Sequence, residues 1–124
     1  MLLDLNTLNY WAILAGGILY MFYGGIYYTV LVGKKNSNSG SLKYVVSVMV
    51  AFISSFFIAV LVQAAGSNSL LGGALIGSIV GFLISLVYVK NTFFGLINTK
   101  SCAIAIGDHL IIFTLVGALH GFLG

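Results

Sequence analysis

The chain has 124 residues, 60% hydrophobic and 6% charged, with a formal net charge of +3 and a mean hydropathy of +1.15. A soluble domain of this length needs a far larger polar surface, so one membrane domain over residues 1–124 is expected. Its lysines sit singly or in pairs at the ends of apolar runs rather than along a basic stripe, which argues against a nucleic-acid partner.

The opening MLLDLNTLNYW lacks a basic segment and carries Asp4, so no cleavable signal peptide is expected and the first apolar run stays as a helix. That run covers about Leu8 to Val32. Tyr10 and Trp11 mark one end of it and Tyr27 and Tyr28 the other, the aromatic belts of the two membrane interfaces. Tyr20, Tyr23 and Tyr27 share one helical face beside Gly24, a pattern that serves either packing with cross-helix hydroxyl bonds or a polar, cation-binding lining. The connection GKKNSNSGSLK that follows reads as a flexible polar loop.

The second run spans about Tyr44 to Ala65. In it Ser47, Ala51, Ser55 and Ala59 recur every fourth residue and lead to Gln63. The third, Leu70 to Val89, has no charge, and Gly73, Gly77, Gly81 and Ser85 fall on one ridge. In lipid such ridges let helix backbones approach closely, and that packing replaces the missing hydrophobic drive. The two ridges lie on consecutive helices joined by a short loop, so they are expected to pack face to face in a tight hairpin. The other reading places one ridge at an oligomer interface, as in glycine-zipper assemblies. Residues 90–101, KNTFFGLINTKS, are too apolar for a free loop; either the third helix continues, to about 98, or the piece lies among headgroups.

The fourth run, about Cys102 to Leu123, repeats the small-residue spacing at Ala103–Gly107 and Gly117–Gly121. Each run is long enough to cross a hydrocarbon layer of roughly 30 Å. Continuous rather than alternating apolarity selects helices over a barrel. The expected fold is an all-α membrane protein: four transmembrane helices in an antiparallel bundle. Every lysine lies in the first connection (Lys34, Lys35, Lys43) or the third (Lys90, Lys100), which puts connections 33–43 and 90–101 in the cytoplasm and both termini outside. The absence of proline predicts largely straight helices.

Asp108 and His109 are the only ionisable pair inside an apolar run. A carboxylate at bilayer depth costs about 2.5–3.5 kcal/mol on insertion scales and is a functional hypothesis by default. Counted from Cys102 it lies about 9 Å from the cytoplasmic end. Its partner is expected on another helix: a tyrosine of the first, Gln63, or a lysine from Lys90 or Lys100. His120 reads as an amphipathic residue at the outer interface. One cysteine, two histidines and two aspartates in scattered places supply no metal site, and neither a nucleophile elbow nor a phosphate loop occurs. No enzymatic activity and no cofactor are expected.

LNYWAILAGGILYMFYGGIYYTVLVGK (8–34), with its Asn-aromatic-x-Ala start and Gly-Lys turn, resembles the first helix of a family of small bacterial four-helix membrane proteins of unknown function. AIAIGDHLIIFTLVGALHGFL (103–123) resembles that family's last helix through Gly107, His109, Leu110 and Gly117. GALIGSIVGF (73–82) and Asn91 are similar to its third. The chain departs from the pattern in lacking a proline after Gly81-Phe82 and in placing Asp108 where the family has an aromatic residue. The resemblance implies four helices, a bacterial cytoplasmic membrane and no known activity.

Two functions from different classes fit these readings. One is a homo-oligomeric conduit or carrier for a proton, ion or small solute, handled by Asp108, His109, Tyr20, Tyr23, Tyr27 and Gln63. The other is a non-enzymatic accessory or scaffold protein that binds another membrane protein or a lipid. The expected partners are therefore the lipid bilayer and either a second copy of the chain or another membrane protein.

Overall fold

The computed structural model describes residues 5–31 and 42–124, apart from the side chain of Lys43. After a single 3-10 turn at Leu5–Thr7, four α-helices follow: α1 (Tyr10–Leu31), α2 (Leu42–Ala64), α3 (Leu70–Phe93) and α4 (Thr99–Leu123). All four are long and apolar enough to cross a membrane, and no strand occurs among the described residues. The chain is an all-helical integral membrane protein. The first connection, with Lys34 and Lys35, lies outside the described residues except for the start of α2.

The helix boundaries follow from local chemistry. Asn9 caps α1, its Oδ1 accepting from the Ala12 N–H at 3.1 Å. Ser69 caps α3 through the Gly72 N–H at 3.0 Å, and Asn98 caps α4 through the Ser101 N–H at 2.7 Å. Each satisfies a donor that the first turn leaves without a partner. α2 and α3 end alike, on glycines in the left-handed region, Gly66 (φ 69°) and Gly95 (φ 76°). There the N–H of Gly66 reaches Gln63 O and that of Ser67 reaches Val62 O, and the same pattern links Gly95 to Thr92 and Leu96 to Asn91. These paired bonds satisfy the last carbonyls, a closure that suits a residue without Cβ.

The third helix therefore passes Lys90 but stops at Phe93, not near residue 98. Gly95 turns the chain, and Phe93, Phe94 and Leu96 project outward as an exposed apolar cluster, which fits a segment lying among headgroups.

The helices run up and down. The Asn9 amide donates to Leu123 O at 3.1 Å and Gln63 Nε2 to Thr7 Oγ1 at 2.7 Å, so the start of α1 and the ends of α2 and α4 share one end of the bundle.

Helix pairing differs from the expected α2–α3 hairpin. The α3 ridge of Gly73, Gly77, Gly81 and Ser85 is buried against α4, not α2. A Cβ on Gly73 would strike the Gly117 carbonyl, one on Gly77 the Phe113 carbonyl, and one on Gly81 would stand 2.8 Å from His109 O. In return, a Cβ on Gly117 would come within 2.9 Å of Gly77 N, and one on Gly121 within 2.9 Å of Gly73 Cα. Glycine meets glycine along this seam, and the backbones touch with no side chain between them. The ridge on α2 carries methyl and hydroxyl groups and cannot approach α3 so closely.

That α2 ridge faces α1 instead. Ala51, Ser55 and Ala59 are buried, Gly16 lies on Ser55, and Gly17 lies on the Phe52 ring. Ser47 is exposed. The apolar centre consists of Ile58 and Val62 from α2 with Ile112, Phe113 and Val116 from α4.

Candidate functional site

α4 carries the ionisable residues, and its periodicity decides where they go. Asp108, Ile112, Val116 and His120 recur every fourth residue, so they lie on one face, and all four are buried. Since α4 begins at Thr99, Asp108 stands about 14 Å from that end, deeper than the 9 Å counted from Cys102.

Asp108 is 5% exposed. Its Oδ2 accepts a hydrogen bond from the Tyr28 hydroxyl at 2.8 Å. The neighbouring Tyr27 donates to Ile104 O at 2.8 Å. Gly107 leaves room for that phenol; a Cβ there would press on its oxygen. Tyr20 and Tyr23 share this side of α1, Tyr20 against the Phe113 ring of α4 and Tyr23 against the Tyr27 ring. Tyr28 of α1 thus bonds to the one buried acid of α4, and Tyr27 bonds to the α4 backbone one turn away. The Tyr23 hydroxyl is buried without a hydrogen-bond partner among the described residues.

His109 points to another side. Its Nδ1 lies 2.7 Å from Ala105 O. A carbonyl only accepts, so Nδ1 carries the hydrogen and the neutral ring keeps its acceptor lone pair on Nε2. The same Nδ1 is 3.8 Å from Asp108 Oδ2, a long contact beside the carbonyl bond. The ring is set by Tyr88 of α3 (centroids 5.2 Å) and Phe113 (6.0 Å). Tyr20 closes on Phe113 edge-on at 5.9 Å, and Tyr23 stacks on Tyr27 at 5.5 Å.

Among the residues expected at this site, Asp108, His109, Tyr20, Tyr23 and Tyr27 are brought together and Gln63 is not. Gln63 belongs to the opposite end of the bundle, where it bonds to Thr7. Lys90 and Lys100 have exposed side chains and do not pair with Asp108. Sequence reading misses Tyr28, which it gives to the interfacial belt. The belt assignment suits Tyr10 and Trp11, both exposed, but Tyr27 and Tyr28 turn to α4.

A second buried polar centre lies about 18 Å further along the same face of α4, twelve residues on. His120 is 2% exposed and is not the interfacial end residue its sequence position suggests. Ser55, fully buried, donates to Ile13 O at 2.8 Å and lies 3.0 Å from His120 Nε2. The signal for this triad was present in the Ser55 ridge and in Gly16–Gly17, which bring α1, α2 and α4 within hydrogen-bond reach. Ile112 and Val116 separate it from Asp108.

No group of three His, Cys, Asp or Glu side chains that could hold a metal occurs among the described residues. Cys102 is free and buried.

No curated protein and no solved structure matches the chain significantly. Residues 11–121 match the model of a family described as "Protein of unknown function (DUF1761)", which spans all four helices. The chain, a four-helix membrane protein, belongs to this DUF1761 family.

Proposed function

We propose that the protein is a homo-oligomeric carrier or conduit for a proton, ion or small solute, with Asp108 as the group that takes and releases the charge. One observation carries this reading: the described residues hold a single buried acid, and Tyr28 of α1 donates to it across the α1–α4 contact. Burying an acid in a bilayer is costly, and a helix clasp alone can be made from neutral groups at less cost. Tyr28 can release Oδ2 by a rotamer change. Enzymatic catalysis forms no part of this proposal. The close-packed interior of one copy favours a path completed by two or more copies.

The lysine distribution supports an orientation with connections 33–43 and 90–101 in the cytoplasm and both ends outside, in a bacterial cytoplasmic membrane. Flux into proteoliposomes tests the mechanism. Proton or cation flux that falls at least tenfold in Asp108→Asn supports it, and unchanged flux in that variant removes it.

A second reading, an accessory or scaffold protein that binds another membrane protein or a lipid, is favoured by the dryness of the same site. Asp108 is capped by Tyr28, and Ile112 and Val116 close the face above it. This reading predicts no flux and a stoichiometric partner that co-purifies.

A further inference from the structure

At the end of the bundle away from Asn9 and Leu123, α3 passes into α4 through residues 94–98. Phe93, Phe94 and Leu96 are 71–87% exposed there. Lys90 in the last turn of α3 and Lys100 in the first turn of α4 flank them along the chain, and both are exposed. Asp108 is the only acid among the described residues and it is buried, so no described carboxylate answers these two ammonium groups.

The turn holds its shape by its own bonds. The Phe94 N–H reaches Lys90 O at 3.1 Å, the Gly95 N–H Thr92 O at 3.0 Å and the Leu96 N–H Asn91 O at 2.9 Å. Asn98 then takes the Ser101 N–H on its Oδ1 at 2.7 Å and the Cys102 N–H on its carbonyl at 3.0 Å. The backbone is ordered before anything binds, so docking on it costs little conformational freedom. Lys90 stands about 30 Å along the helix from Leu70, the thickness of the hydrocarbon layer. Phe93, Phe94 and Leu96 therefore fall just beyond it, at headgroup depth.

Two properties select what covers this surface. Apolar side chains at that depth gain by entering the acyl boundary. Ammonium groups beside them attract a headgroup of net negative charge, whereas a zwitterionic headgroup offers none. The match is one-sided in the molecule, since every lysine belongs to the two connections of this end. A protein partner fits less well: a standard interface takes about 20–30 residues from each side, more than this short turn and its flanking lysines hold.

We propose that the α3–α4 turn is a binding site for an anionic phospholipid, its headgroup drawn by Lys90 and Lys100 and its upper acyl region met by Phe93, Phe94 and Leu96. The site stands apart from Asp108 and does not depend on any flux. The test offers the full chain in detergent equimolar phosphatidylglycerol and phosphatidylcholine, and native mass spectrometry counts the lipids retained. Phosphatidylglycerol is expected to be retained about tenfold over phosphatidylcholine. Inorganic phosphate, which has the charge without acyl chains, is expected not to displace it. Lys90→Gln combined with Lys100→Gln removes the preference at an unchanged thermal midpoint. Phe94→Ser weakens retention of both lipids and keeps the preference, and Lys34→Gln combined with Lys35→Gln leaves retention and preference as in the parent. The proposal is overturned if the two lipids are retained alike, or if inorganic phosphate displaces the bound lipid. It is equally overturned if the Lys34 and Lys35 changes abolish the preference as fully as those at Lys90 and Lys100, the mark of diffuse attraction. A protein that co-purifies with the parent and is lost from Phe94→Ser, with lipid retention unchanged, also overturns it.

Discussion

The α3–α4 seam and the α1 contact hold the same bundle together by opposite means. Along the seam, Gly73, Gly77, Gly117 and Gly121 bring backbone onto backbone, and nothing there can rotate out of the way. Around α1 the glue is side-chain hydroxyls: Tyr27 on Ile104, Tyr28 on Asp108 and Ser55 on Ile13 and His120. The first kind of contact is all or none, because close-packed surfaces lose their fit when a methyl intrudes. The second can be broken and remade one bond at a time. The cross-helix hydrogen bonds named above sit on the adjustable contact, with the rigid pair serving as its platform.

Substitutions at the two contacts should therefore differ in kind. The largest effect is expected from Gly77→Leu, whose side chain would enter the Phe113 backbone. Overpacking of this severity costs about 3 kcal/mol or more, and thermal unfolding in detergent should show the chain failing to reach its native midpoint. Ser55→Ala removes a fully buried hydroxyl with two partners and leaves His120 Nε2 unsatisfied, while Ile13 O keeps its bond in the α1 ladder. A loss of about 1–3 kcal/mol is expected, read as a lowered midpoint together with a changed His120 nitrogen signal. Tyr28→Phe deletes one bond at a residue that is 39% exposed, and cross-helix bonds in membranes average roughly 0.6 kcal/mol. It should unfold almost as the parent does while altering any flux that depends on Asp108. Val45→Leu, on an exposed face of α2, should leave stability within about 0.5 kcal/mol. A large cost at Val45 combined with tolerance at Gly77 would reverse the comparison.

The four spans are legible in the sequence because the bilayer itself imposes a length of about twenty apolar residues. Helix pairing is not. Small residues at every fourth position identify a face but carry no information about what meets it, and the α3 ridge could serve α2 or α4 equally well on paper. The deciding property is a mutual lack of side chains, which Gly117 and Gly121 have and Ser55 and Ala59 lack. Asp108 is conspicuous in sequence because an acid in an apolar run is rare. Tyr28 is not, since an interfacial tyrosine and a tyrosine turned inward occupy the same place in a hydropathy profile. The His120 centre is the least visible feature of all. It needs Ile13, Ser55 and His120, far apart along the chain, to arrive at one level, and only the up-and-down topology brings them there.

The branched side chains of Ile112 and Val116 carry one more implication. A proton hops only along an unbroken file of oxygen and nitrogen atoms, and these two residues interrupt any such file along the buried face of α4. Along this face a single resting copy therefore offers no proton wire, and a carrier built from it would need another route, between copies or between parted helices.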